Sequence, residues 1–122
     1  MPNIILVEDD PFLIDIYKQK FESAGFGINV VKNGSKVLDA LAQSKPDLLL
    51  LDIVLPEMAG WEVLEKIKAE PNYKDLKVVI LSNLGQKEEV EKGLQMGADK
   101  YLIKSQYKPS EVVEKVKEIL AT

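Results

Sequence analysis

The sequence predicts an α/β domain, a doubly wound parallel sheet of five strands in the order 2-1-3-4-5 with five helices. Three observations predict it. Five short apolar runs alternate strictly with five segments of helical length, each with one apolar stripe. The middle run, Leu48-Leu49-Leu50-Leu51, is apolar on both faces, as a strand covered by helices on either side must be. The 122 residues suffice for one hydrophobic core but not for a second of ordinary size, so a single domain is expected over residues 1–122.

The first run, Ile4 to Val7, leads into Glu8-Asp9-Asp10. Asp10 is placed to cap a helix that begins at Pro11, and Phe12, Leu13, Ile16, Tyr17 and Phe21 recur at helical spacing up to Gly25. The second run is Ile28 to Val31, followed by a short helix over Ser35 to Ala42 with Val37, Leu38 and Leu41 as its stripe. The third, Asp47 to Leu51, is expected to be the most buried strand. After it, Trp61 to Ala69 turns Val63, Leu64 and Ile67 to the sheet. Val78 to Leu81 is the fourth strand. The next helix, Gln86 to Met96, has only Val90, Leu94 and Met96 as apolar anchors among many charges, so it is expected to be lightly held and the most mobile. Tyr101 to Ile103 is the fifth strand. A last helix, capped by Ser110 after Pro109, closes the core with Val112, Val113, Val116, Ile119 and Leu120.

A chain that is 46% hydrophobic and 30% charged is globular rather than disordered. Sixteen basic against 20 acidic residues leave a charge of -4, so no overall field draws the domain to DNA or to an anionic membrane, and neither contact is expected of it. Cysteine is absent, which fits a reducing compartment, and no stretch reaches the ~18 to 20 apolar residues of a membrane span, so a cytoplasmic location is expected. The absence of histidine excludes Ser-His triads, histidine metal sites and an internal phosphohistidine. Any phosphoryl donor has to come from outside.

Sites in doubly wound sheets lie beyond the carboxyl ends of the strands. Here those ends carry Glu8-Asp9-Asp10, Asp52, Ser82-Asn83 and Lys104-Ser105. Strands one, three, four and five are neighbours around the point where the order reverses, so three carboxylates, a hydroxyl and an ammonium converge. Such carboxylates repel unless they take a proton, bind a cation or lie beside a lysine. Oxygen ligands without histidine or cysteine favour Mg²⁺, Mn²⁺ or Ca²⁺ over zinc. Mg²⁺ keeps several waters and completes its shell with a substrate phosphate, which points to phosphoryl chemistry. Asp10 is better explained as a cap, Gly60 and Pro56 as shaping the loop after Asp52, and Trp61 as packing.

Four motifs in order, each after a strand, carry a family resemblance across essentially the whole chain. They are Ile4-Ile5-Leu6-Val7-Glu8-Asp9-Asp10-Pro11, Asp52-Ile53-Val54-Leu55-Pro56-Glu57-Met58-Ala59-Gly60, Val79-Ile80-Leu81-Ser82-Asn83 and Gly97-Ala98-Asp99-Lys100-Tyr101-Leu102-Ile103-Lys104. With them the chain resembles the receiver domain of two-component response regulators, the chemotaxis regulator included, whose fold is flavodoxin-like. The resemblance implies that Asp52 is the phosphoacceptor and that Mg²⁺ is held by Asp9, by Asp52, by the backbone carbonyl of Val54 and by Glu8 through water. It further implies that Lys104 pairs with Asp52 and then with the phosphoryl group, that Ser82 hydrogen-bonds that group, and that Tyr101 is the switch aromatic.

The partners implied are a histidine kinase or a histidine phosphotransfer protein on the input side. On the output side stands a separate protein or a missing C-terminal effector domain, engaged through helix four, strand five and helix five. The domain would catalyse only its own phosphorylation and dephosphorylation. Two rivals remain on the same fold, a phosphate-independent binding module and an aspartyl-phosphate hydrolase of the haloacid dehalogenase kind. The second rival calls for an acid two residues after the nucleophile, where this chain has Val54.

Two departures from the family pattern matter. Ser105 follows Lys104 where the family has proline, often in a cis bond; a cis bond without proline costs ~3 kcal/mol, so a trans bond is expected. Asn83 stands where a small residue is usual. Val54 has no polar group to hold a hydrolytic water, so slow self-dephosphorylation is expected.

Overall fold

The computed structural model describes residues 2–121. Strands β1 (Asn3–Val7), β2 (Gly27–Val31), β3 (Leu48–Leu51), β4 (Lys77–Ser82) and β5 (Lys100–Ile103) form one parallel sheet in the expected order β2-β1-β3-β4-β5. Between and after them run α1 (Pro11–Ser23), α2 (Val37–Ser44), α3 (Gly60–Ala69), α4 (Lys87–Gln95) and α5 (Pro109–Leu120). Every residue of β3 is fully buried, as its unbroken leucine run requires.

Period-two alternation divides the core into two layers. Ile4, Leu6, Leu48, Leu50, Val79, Leu81 and Leu102 pack against Tyr17 and Phe21 of α1 and Val112, Val113 and Val116 of α5. Ile5, Val7, Leu49, Leu51, Val78, Ile80 and Tyr101 pack against Val37 and Leu41 of α2 and Val63, Leu64 and Ile67 of α3. Each strand thus sends alternate residues to opposite helical layers. A slip of one position would exchange the layers.

Several local expectations are corrected. In α1 the buried residues are Ile14, Tyr17 and Phe21, while Phe12 is 71% exposed. Ile14 is three residues from Tyr17 and seven from Phe21, which places it on their face; Phe12 falls on the opposite side. The segment expected as one helix from Ser35 is a 3₁₀ turn at Gly34–Lys36 followed by α2, which runs on to Ser44. Asn33 holds that turn by accepting the Ser35 N–H at 2.8 Å. Asp47 lies before β3 rather than in it, and locks the strand start by exchanging bonds with Asn3.

Ser110 is not the cap of α5. Pro109 takes the first helical position, and the Glu111 carboxylate accepts the Lys108 N–H at 2.8 Å. Asp10 does cap α1, accepting from the Phe12 N–H at 2.9 Å and the Leu13 N–H at 3.4 Å. In α4, Val90 and Met96 are half-buried, Leu94 is exposed, and the one buried residue is Gly93. No peptide bond among the described residues is cis, so Lys104–Ser105 is trans as expected, at the head of a 3₁₀ turn over Lys104–Gln106.

Candidate functional site

Register decides which residues meet at the rim. Val7 pairs with Leu51 and Leu51 with Ile80, so Glu8 and Asp52, each one residue further on, emerge side by side. Ser82 pairs with Ile103, so Lys104 emerges one step beyond them on the far side of β4. By alternation Glu8, Asp52 and Lys104 all turn to the layer of α1 and α5, whereas Ser82 and Tyr101 turn to the layer of α3 and α4. The site therefore has two halves joined through the sheet edge.

The first half is an ion triad. Lys104 Nζ donates to Glu8 Oε1 at 2.5 Å and to Asp52 Oδ2 at 2.7 Å, with all three side chains nearly out of solvent. The remaining oxygens are also occupied. Glu8 Oε2 accepts the Asp9 and Asp10 N–H groups at 3.2 and 3.1 Å. Asp52 Oδ1 accepts the Ile53 and Val54 N–H groups at 2.7 and 3.4 Å. Burial pulls the Lys104 ammonium towards its neutral form, but its hydrogen bonds to Asp52 and Glu8 and their charges outweigh burial and hold its pKa above the ordinary 10.5.

Asp9 completes the acidic group. Glu8, Asp9 and Asp52 each offer a carboxylate oxygen, and these lie within 4.8 Å of one another. Three carboxylates face one ammonium, which leaves the rim negative. An all-oxygen donor set with excess negative charge and one exposed member, Asp9, fits a hard divalent cation with solvent in part of its shell. Val54 enters this half through its amide, while its side chain is 63% exposed at the mouth.

The second half holds Ser82 and Tyr101. Ser82 is fully buried, and its hydroxyl accepts the Leu84 N–H at 3.2 Å. The Tyr101 phenol donates to the Leu84 carbonyl, and the ring is 9% exposed. Burial raises the Tyr101 pKa, the charge of Glu89 adds to the rise, and the Ser82 hydroxyl opposes it. Leu84 thus links the two side chains. Asn83 is exposed beside them.

Two residues outside the expected site belong to the surroundings. Tyr17 of α1 is buried beneath the triad; burial raises its phenol pKa, the charge of Lys104 opposes that rise, and Glu8 and Asp52 reinforce it. Its signal was the spacing Ile14, Tyr17, Phe21. Gly60 is the other, and its expected role in shaping the loop after Asp52 is borne out. A Cβ there would lie 2.3 Å from the Asp52 carbonyl oxygen and 2.7 Å from Ile53 Cα, both backbone atoms. Gly60→Ala is expected to cost ~1 to 3 kcal/mol in urea unfolding. Gly85→Ala, whose Cβ would meet only the Ile103 side chain at 3.1 Å, should cost clearly less.

Comparison with known proteins identifies a family and a shared fold. The response regulator receiver domain family matches residues 4–117. The DNA-binding dual master transcriptional regulator RpaA of Synechocystis is 32% identical over 98% of this chain and 49% of its own length. The transcriptional regulatory protein BaeR of Escherichia coli is 35% identical over 98% of this chain and 48% of its own. Among solved structures, the BeF3-activated N-terminal receiver domain of Klebsiella pneumoniae RstA superposes with a TM-score of 0.90 at 26% identity, covering 98% of this chain and 99% of that one. The chain spans about half the length of these curated relatives.

Proposed function

The chain belongs to the response regulator receiver domain family, and on that premise we propose that Asp52 accepts a phosphoryl group from the phosphohistidine of a histidine kinase or phosphotransfer protein. The observation that carries this reading is the single buried ammonium of Lys104 shared by Asp52 and Glu8 beside the acidic group. Three carboxylates about one ammonium leave a net negative charge, which a bound cation can offset when an anion is received.

An Asp52 carboxylate oxygen attacks phosphorus, and the bond from phosphorus to the donor nitrogen breaks. The Ile53 and Val54 amides hold the carboxylate in place during attack. Lys104, released from the oxygen it shared, binds a phosphoryl oxygen, while Glu8 keeps the same ammonium anchored. Asp9, Asp52 and the Val54 carbonyl, with Glu8 behind them, would hold Mg²⁺, which would supply positive charge that screens the phosphoryl oxygens from the carboxylates. The Ser82 hydroxyl turns from the Leu84 amide to the phosphoryl group, and Tyr101 responds through their common neighbour.

The altered face is that of α4, β5 and α5. The output passes to an effector domain or to a separate protein through this face. No described helix is long and apolar enough to cross a membrane. The charge of -4 argues against DNA contact by this domain itself.

Incubation with Mg²⁺ and acetyl phosphate is the direct test. Intact mass should rise by one phosphoryl group, and chelation of the metal should prevent it. No gain in mass sinks the reading. A second measurement concerns lifetime: Val54 is exposed at the mouth and apolar, so it holds no water for attack on phosphorus. Val54→Asn is expected to speed loss of the phosphoryl group on the order of ten-fold, less than the ~10² to 10⁴ that a general base supplies, because the amide only orients a water. An unchanged decay rate would refute this role for Val54.

A further inference from the structure

Glycine inside a helix loses backbone entropy and offers no side chain to pack, so a glycine there calls for a physical reason. In α4 the reason is close approach. A Cβ on Gly93 would lie 2.7 Å from Ile80 Cδ1, 2.9 Å from Tyr101 Cδ2 and 3.2 Å from Tyr101 Cε2. The backbone of α4 therefore rests directly on the tyrosine ring. On the other side the ring is tied by its phenol to the Leu84 carbonyl. The preceding residue, Lys92, places its ammonium 4.5 Å from the centre of the Trp61 ring. Two neighbouring residues of one helix thus sit on two aromatic rings, one from β5 and one from α3.

We propose that Gly93 is the positioning residue of the output switch: its missing side chain gives Tyr101 its inward place beneath α4, and any side chain at this position drives the ring out and lifts the helix. The Ile80 contact is to the terminal methyl of a flexible side chain, which can turn aside, whereas both Tyr101 contacts are to atoms of a rigid ring that must move as a whole. Tyr101 lies on β5, the edge strand, and keeps 9% of its surface exposed. The steric claim stands alone; its consequence for signalling rests on the phosphorylation of Asp52 proposed above. With Gly93 replaced, Asp52 would still be phosphorylated, but Tyr101 and α4 would not register it.

The test uses the four tyrosines labelled as fluorotyrosine, with the Tyr101 resonance assigned through Tyr101→Phe. In the parent that resonance should be shielded from solvent. In Gly93→Ala it should become solvent-exposed, with a change in emission from Trp61, the only tryptophan, while acetyl phosphate still adds one phosphoryl group. Adding Tyr101→Ala to Gly93→Ala should make room for the new methyl group and restore the parental emission. A Tyr101 that stays shielded in Gly93→Ala overturns the proposal. If Gly93→Ala does not fold, the double variant decides: folding with parental emission supports the proposal, and failure to fold overturns it. Absence of phosphoryl uptake in the parent would sink the reading of Asp52 and leave the fluorine result standing.

Discussion

Lys104→Met should destabilise the domain by ~3 to 5 kcal/mol in urea unfolding and abolish phosphoryl uptake, the largest effect of any substitution at the rim. Methionine keeps most of the stem, so packing changes little. What disappears is the one positive charge held by two buried carboxylates at 2.5 and 2.7 Å. Without it Glu8 and Asp52 face each other uncompensated, and nothing draws the phosphoryl oxygens in. The effect also has a pH signature. Because the folded pKa of Lys104 lies above its ordinary 10.5, the stability that it contributes is fully present below 10.5 and is lost as pH rises through the higher folded value. The stability gap between parent and Lys104→Met should therefore be constant at neutral pH and narrow in alkali. A gap that stays constant through that range would show that the ammonium is not what holds the triad.

Asp52→Ala should reduce phosphoryl uptake to background while costing less stability, ~1 to 3 kcal/mol, for two amide groups left without their acceptor. The difference from Lys104→Met has a structural cause. Lys104 keeps Glu8 as a partner when Asp52 is removed, and one of three clustered negative charges goes with it. No neighbouring carboxylate should take over as acceptor: Glu8, 1% exposed, becomes the one carboxylate that holds Lys104. Asp9 is exposed and at the outer side of the group. Intact mass after acetyl phosphate checks the first claim, and urea unfolding of both variants checks their order.

The sheet was legible because each strand is a run of apolar residues whose side chains have no alternative to burial. Glu8, Asp9, Asp52 and Lys104 were legible for a related reason, since charges directly after apolar strands must gather at one rim. What the sequence left obscure depends on close approach between segments distant along the chain. Phe12 was misplaced because several apolar residues crowd the start of α1 and only packing against the sheet selects Ile14. Ser110 was misread as a cap because propensity cannot tell that Glu111 reaches back to Lys108. Tyr17 and Gly93 carry no chemical mark of their own. Each takes its meaning from the neighbour it touches.

The ion triad joins positions 96 and 52 residues apart along the chain. While the polypeptide is being synthesised from its N-terminus, the acids of β1 and β3 exist long before the lysine that neutralises them. A nascent domain lacking β5 and Lys104 would have to bury two negative charges with no counter-ion, so a residue made late in this domain neutralises acids made early in it. Truncation just before Lys104 removes both this counter-ion and the α5 face that covers the core, and should give a chain that does not unfold cooperatively in urea, whereas shortening α5 at its distal end should leave a cooperative transition.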